Sequence, residues 1–264
     1  MRTNLNGTFA EERHESTIET ITIQFGDTGA LPTYLGHGGA FFDETIIPRI
    51  RALAADRLFI VTDETVARLH ATRLDAFRSL ESAHVIHVPS GEAAKTFEVL
   101  GHVAEEVLRN GGTKQSVIIG FGGGCVINVA GLVAGLLYRG IRVVYVPTTF
   151  LAQHDVVPSR KTAINFCNRK NSFGIYHLAT AVFIDSDFLT SLPASEFLSG
   201  LGELTKNGLI LGGAPWQNIT RFLAAYARDP SIARDPAWLL GLVRSGIEAK
   251  CGLLRLDATE VKEA

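Results

Sequence analysis

Between Thr17 and Asp185 the chain alternates short β-branched runs with longer stretches whose apolar positions recur at helical spacing. The runs at 17–25 (TIETITIQF), 57–63 (RLFIVTD), 84–88 (HVIHV), 116–120 (SVIIG), 142–146 (RVVYV) and 180–185 (TAVFID) read as strands. Several are apolar at nearly every position, as strands covered on both faces of a parallel sheet are. Residues 63–80 read as a helix opened by Asp63 as its N-cap, and 95–112 as one closed by Gly111 and Gly112. Past Leu192-Pro193 the strand pattern stops. Three helical segments follow, ASEFLSGLGELTKNGLIL, WQNITRFLAAYA and AWLLGLVRSGIEAKCGLLRL, with DPSIARDP as a polar connector. The pattern predicts an α/β fold: a polar tail at 1–16, a Rossmann-like domain with a mainly parallel sheet at 17–192, and an all-helical domain at 193–264. About seventy residues are few for a domain that must bury its own core, so the helical part is expected to be incomplete.

Composition removes several function classes. A net charge of -2 over 264 residues offers no bulk attraction to nucleic acid or an anionic membrane, so anion binding must come from local clustering. The apolar stretch from Cys125 to Tyr138 is interrupted by Asn128 and two glycines and is too short to span a bilayer. The N-terminal stretch has no apolar segment of the signal-peptide kind. Three cysteines without CxxC spacing do not suit a disulfide framework, and a cytoplasmic setting is expected.

The clearest chemistry lies in SVIIGFGGGCVINVAGLVAGLLYRG, where a buried strand runs into Gly122, Gly123 and Gly124 and then into a helix. Glycines let backbone approach a ligand, and a helix start offers unpaired N–H groups and a positive dipole end. An ordinary dinucleotide fingerprint would need glycine where Ile127 stands, and no acid lies between Val107 and His154. A purely structural strand-to-helix turn remains open on this segment alone. From Val107 to Asn171 the only acid is Asp155, against Arg109, Lys114, Arg139, Arg142, Arg160, Lys161, Arg169 and Lys170. A loop carrying Arg160-Lys161 and Arg169-Lys170 is therefore expected to meet an anionic ligand.

Six blocks, SGEAAKT, GGGCVINVAGLVAGLLYRG, VPTTFLAQHD, SRKTAIN, RKNSFGIYH and GLGELTKNGLI, stand in the order and spacing of the 3-dehydroquinate synthase superfamily of sugar phosphate cyclases. Asn128 with the following Val-Ala-Gly, VPTTFLA and the pair Lys206-Asn207 most resemble 2-deoxy-scyllo-inosose synthases of aminoglycoside pathways. 3-Dehydroquinate synthases and, through RKNSFGIYH, sedoheptulose 7-phosphate cyclases are the alternatives within the superfamily.

The resemblance implies NAD as cofactor, held by Asp63, Gly91, Glu92 and Lys95, with Gly123, Gly124, Cys125, Val126, Ile127 and Asn128 against its pyrophosphate. Thr148, Thr149 and Lys170 would flank it. Asp155, Lys161 and Asn171 would serve both NAD and a phosphorylated sugar, and Lys206 and Lys250 would be further substrate lysines. Arg139 resembles the arginine that reaches a neighbouring subunit's phosphate site, implying a homodimer. Glu203 matches the carboxylate ligand of a divalent metal, zinc or cobalt; an ordinary ion pair with Lys206 is the other reading of it.

Departures from the family pattern set further expectations. The two histidines of the family's GHT-x-GH segment do not occur in this sequence, so a fragment, a split gene product or a non-catalytic NAD-binding relative is expected. Ile127 stands where the family carries a small residue and is expected to crowd the cofactor phosphates, and Pro158 precedes Lys161. His154 and His177 read more readily as structural than as ligands, and Cys125 as a small buried hydrophobe. An iron-type alcohol or glycerol dehydrogenase would share fold and cofactor, but a small neutral alcohol needs no clamp of Arg139, Lys161 and Lys170.

Overall fold

The computed structural model describes residues 2–4, 8–10, 18–25 and 29–256. Along the chain run β1 (Arg2–Asn4), β2 (Thr8–Ala10), β3 (Glu19–Gln24), β4 (Ala30–Gly36), α1 (Gly38–Phe41), α2 (Ile47–Arg51), β5 (Leu58–Asp63), α3 (Glu64–Leu69), α4 (Ala71–Arg78) and β6 (Ala83–Val88). After them come α5 (Phe97–Arg109), β7 (Val117–Gly122), α6 (Gly124–Leu136), β8 (Arg142–Pro147), β9 (Lys161–Phe166), β10 (Arg169–Tyr176) and β11 (Ala181–Asp185), then α7 (Ala194–Leu211), α8 (Gly213–Tyr226) and α9 (Pro236–Leu256). The six strands expected from sequence are all present, as are the three helices after residue 192. Part of the stretch read as a polar tail pairs as β1 and β2, antiparallel; the rest of it, and residues 257–264, lie outside the described residues.

Two compact units result, and neither is one continuous segment. One comprises Gly38–Thr148 and Arg160–Asp185; the other comprises Met1–His37, Thr149–Ser159 and Ser186–Ala264. A cut near 192 therefore has a counterpart at Asp185/Ser186, but the helical unit also takes in the N-terminal strands and the short segment after Thr148. That assignment depends on long-range packing, which local periodicity does not carry.

In the first unit, β11, β8, β7, β5 and β6 lie side by side in that order, with the β11–β8, β8–β7, β7–β5 and β5–β6 pairs parallel. β5, β7 and β11 are buried throughout, as their unbroken apolar runs require. Helix α6 packs closely on β7, because Gly122 leaves room for Val126, whose side chain would lie 2.7 Å from any Cβ there. Gly131 serves the same end: any Cβ on it would overlap Tyr145 Oη and Thr162 Cγ2. Tyr145 is fully buried and cannot swing away. Gly131→Ala is expected to cost about 3 kcal/mol of unfolding free energy through overpacking, read as a lower denaturant midpoint at unchanged slope.

The segment expected as a cationic loop is instead a hairpin. β9 and β10 pair antiparallel, with Cys167 and Asn168 at the turn, both at positive φ (50° and 59°). Two consecutive left-handed residues are what a two-residue hairpin of the right twist demands. Asn tolerates that conformation, but cysteine is no turn signal, which hid the hairpin from pattern reading.

In the second unit, α7, α8 and α9 pack through small residues. A Cβ on Gly200 would lie 2.9 Å from Phe150, and one on Gly246 would lie 2.6 Å from His154. Phe150 stacks on Phe197, with centroids 4.8 Å apart, and Phe222 on Tyr226 at 5.6 Å. The segment Thr149–Ser159, with its π-helical turn at Ala152–Val156, is thereby held among the helices. Among the described residues no helix is long and apolar enough to cross a membrane.

Candidate functional site

In the first unit, β5 has β6 on one side and β7 on the other, so the chain reverses its direction of travel across the sheet between β5 and β7. A crevice opens at the carboxyl ends of strands at such a switch point. Asp63 ends β5 and Gly122 ends β7. Helix α6 starts from Gly123, which supplies no side-chain cap, and its first turn holds no acid. Its positive end is thus left for an anion. None of Gly122, Gly123 and Gly124 takes a positive φ, so at Gly122 it is close packing that requires glycine.

Ile127 does not crowd this helix start. It is 2% exposed and faces β7, where it would meet a Cβ on Gly120 at 3.3 Å. Helical geometry turns position 127 toward the sheet, which corrects the expectation of a bulky side chain beside the phosphates. Asn128 is engaged in the scaffold: its Nδ2 donates to the Gly124 carbonyl at 2.8 Å and its Oδ1 accepts the Ala163 N–H at 2.9 Å. It ties the helix start to β9.

Beside the first turn of α6 lies a buried cation. Lys95 is 4% exposed; its Nζ donates a short hydrogen bond to Asn171 Oδ1 and stands 4.0 Å from Glu92 Oε1. Glu92 Oε2 accepts from Asn165 Nδ2 at 2.6 Å, and Cys125 Sγ lies 3.8 Å from Glu92 Oε1. The Asn165 hydrogen bond, aided by the charges of Lys95 and Lys170, holds the Glu92 carboxyl below its usual range. Burial pushes the Cys125 thiol up to about 11, so it stays protonated and inert at neutral pH, as a structural cysteine does. Asn171 is held at φ 53°, a left-handed conformation.

Asp63 Oδ1 caps α3, accepting the Thr65 and Val66 N–H groups at 2.9 and 3.0 Å, and also the Ser90 hydroxyl at 3.0 Å. Gly91 follows Ser90 at φ +69° with open space where a Cβ would stand. Thr148 is buried and donates its N–H to the Gly122 carbonyl at 2.9 Å. Arg139 is exposed on a turn in which Tyr138 and Arg139 are both left-handed (φ 53° and 67°), with Tyr138 Oη anchored to the Gly112 carbonyl at 2.8 Å. Lys161 opens β9, opposite Tyr176, and Lys170 is exposed on β10.

A second cluster forms in the other unit. Asp155 Oδ1 receives Lys250 Nζ at 3.1 Å and Asn207 Nδ2 at 2.9 Å. Lys250 and Asn207 are buried, at 7% and 2% exposure. Thr149 Oγ1 accepts the Ala152 N–H at 3.3 Å, which makes it a cap for the turn that carries Asp155. Glu203 and Lys206 pair with each other at 2.5 Å on α7. Among the described residues no three His, Cys, Asp or Glu side chains converge in a way that could hold a metal ion. The described residues do not by themselves make a metal centre.

The two histidines are structural. His177 Nε2 is 3.0 Å from the Ile141 carbonyl, and His154 Nε2 is 3.1 Å from the Gly200 carbonyl. Full burial pushes His154 down to about 4 from 6.5. The unfolded chain thus binds a proton between those values that the folded chain refuses, so stability contributed by the neutral ring is present above pH 6.5 and is lost as pH falls toward 4. His154→Gln keeps a donor for Gly200 and is expected to flatten the acid limb of the unfolding free energy by on the order of 3 kcal/mol. Chemical denaturation at a series of pH values checks this; a wild-type slope in the variant would overturn it.

Asn165, Asn207 and Ser90 were not legible as site residues. Asn165 and Asn207 sit inside recognisable blocks, but amides reveal a role only through their partners. The cysteines, Cys125, Cys167 and Cys251, are free.

Residues 85–199 match the family described as 3-dehydroquinate synthase N-terminal. The chain is 36% identical over 219 residues to a 2-deoxy-scyllo-inosose synthase of Streptomyces ribosidificus, covering 82% of this chain and 55% of that one. It is 34% identical over 229 residues to a 3-dehydroquinate synthase of Staphylococcus aureus strain Newman, covering 87% of this chain and 62% of the relative. A solved 2-deoxy-scyllo-inosose synthase in complex with carbaglucose-6-phosphate, NAD+ and Co2+ superposes with a TM-score of 0.76 at 28% identity, over 92% of this chain and 66% of that structure. The chain therefore spans only 55% and 62% of the length of the two curated relatives. Shared motifs, shared fold and this level of identity agree: residues 85–199 match the 3-dehydroquinate synthase N-terminal family, and most of the chain is similar in sequence and fold to enzymes of that superfamily.

Proposed function

We propose that this chain forms the NAD site and part of the sugar phosphate site of a phosphate-eliminating cyclase, most like a 2-deoxy-scyllo-inosose synthase. The observation that carries the reading is the buried Lys95 beside the uncapped start of α6 at the sheet's switch point. A buried ammonium next to a helix N-terminus suits a pyrophosphate. Lys95, Glu92, Asn171 and the α6 backbone would hold NAD, which when bound supplies a transient acceptor for hydride from a ring carbon that bears a hydroxyl.

The chain's own groups would do the rest by position and charge. Asp155 takes both of its side-chain contacts on Oδ1, so Oδ2 remains to accept a hydrogen bond from a substrate hydroxyl. Lys250 and Asn207 keep that carboxylate oriented. Lys161 would place fixed positive charge where negative charge develops on the reacting sugar. Arg139, presented on its strained turn, would meet a phosphate across a dimer. Asp63, Gly91, Thr148 and Lys170 would line the nucleotide, and Lys206 would contact the sugar once freed from Glu203. Zinc or cobalt would take Glu203 as one ligand and would need further ligands that the described residues do not supply.

Calorimetric titration with NAD tests the core of the reading: saturable binding is expected, and its absence with folded protein overturns it. Phosphate release from a sugar phosphate without net NADH would establish the cyclase. A second reading, an NAD-binding protein without turnover, predicts binding and no phosphate release.

A further inference from the structure

We propose that Asn165 is a positioning residue of the nucleotide site, fixing Asn171 and Glu92 in a single arrangement; this rests on the reading of the first unit as an NAD site. Asn165 is a half-buried residue of β9 that bonds to three different partners at one place. Its backbone N–H donates to the Lys95 carbonyl at 3.0 Å. Its Oδ1 accepts the Asn171 N–H at 2.9 Å, and its Nδ2 donates to Glu92 Oε2 at 2.6 Å. Asn171 in turn accepts from Lys95, which closes a ring through Lys95, Asn165 and Asn171.

The amide can sit only one way round. A backbone N–H can only donate and a carboxylate can only accept, so Oδ1 must face Asn171 and Nδ2 must face Glu92. No other side chain of this size offers an acceptor and a donor at those two points. Asn128 ties β9 to α6 at Ala163, and Asn165 adds a tie near the turn of the two-stranded hairpin, where Arg169 to Gly174 are all exposed. A two-stranded hairpin is marginal alone. Phe97, Phe166 and Phe173 also bridge it to the start of α5, with centroids 4.6 to 6.1 Å apart, but ring contacts fix no register for an amide or a carboxylate. Asn165 does so, while holding Asn171 in its left-handed conformation.

Aspartate is the informative replacement. Asn165→Asp keeps shape and the acceptor for Asn171, but sets a second carboxylate against Glu92. The groups that face Glu92 are Asn165 on β9, Lys170 on β10, Lys95, and Cys125 on α6. One proton shared between the two carboxylates would restore the contact in acid. A purely supportive role predicts a loss of stability without this pH signature.

NAD affinity of the intact chain is measured by calorimetry for wild type, N165D, E92Q and N165D/E92Q, at about pH 7.5 and about pH 5, with thermal melts for each. N165D is expected to weaken NAD at least about tenfold near neutrality and to recover most of it in acid. In the double variant the amide introduced at position 92 can donate to the carboxylate introduced at position 165, and affinity is expected to match E92Q alone within about threefold. N165D binding NAD like wild type at neutral pH, or a loss equal at both pH values and in both backgrounds, overturns the positioning role alone. A folded wild type that takes no NAD overturns the NAD reading, and this inference with it. Should N165D not fold, the double variant decides: failure to restore folding there also refutes the reciprocal contact.

Discussion

Lys161→Ala is expected to reduce phosphate release from a sugar phosphate by at least about a hundredfold while leaving NAD affinity within about tenfold. Lys161 opens β9 as a half-buried cation, at the other end of the strand from Asn165 and the Lys95–Glu92–Asn171 cluster. Under the proposed function its charge would serve the reacting group more than the cofactor. Fixed charge aimed at a developing oxyanion acts on the transition state, so the loss belongs in kcat more than in NAD binding. Continuous assay of released phosphate, paired with NAD calorimetry, separates the two. Undiminished release would remove Lys161 from the mechanism.

Lys95→Met should give the mirror image: NAD binding weakened by about a hundredfold or more, with the fold retained. Methionine keeps most of the stem, so the change isolates the charge. Lys95 is nearly inaccessible and bonds Asn171, so its ammonium cannot be replaced by solvent. Losing it also removes one of the charges that keep Glu92 ionised, and the Glu92 carboxyl should move back toward its usual range. Stability is expected to fall by about 1 to 3 kcal/mol, because Asn171 Oδ1 loses its donor and Glu92 loses a neighbouring cation. A variant that melts like wild type and still binds NAD at wild-type affinity would falsify the assignment of Lys95 to the cofactor.

The nucleotide site and the Asp155 cluster differ in how far they could be read ahead of the structure. Gly122 to Gly124 after a buried strand, and Lys95 in SGEAAKT, are local patterns; the structure has a strand-to-helix turn at the first and a buried lysine at the second. Glu203 shows the opposite. Its spacing to Lys206 fits both an ion pair and a ligand, and the structure pairs it with Lys206. Ile127 shows the same limit from another side: identity alone suggests bulk beside the phosphates, while the helical angle turns that bulk into the sheet.

By itself the sequence determined the strands of the parallel sheet, the capped helices between them and the three helices after residue 192, because buried strands and amphipathic helices carry their own periodicity. It also carried the likeness to the 3-dehydroquinate synthase superfamily, since six blocks in one order are a one-dimensional property. Only the tertiary structure decided that β9 and β10 form a hairpin, that residues 149–159 belong with the helical unit, and that Asn165 and Asn207 hold the carboxylates of Glu92 and Asp155. A hydrogen bond between residues 52 or 73 positions apart leaves no periodic trace in either partner, so it exists only once the chain has packed.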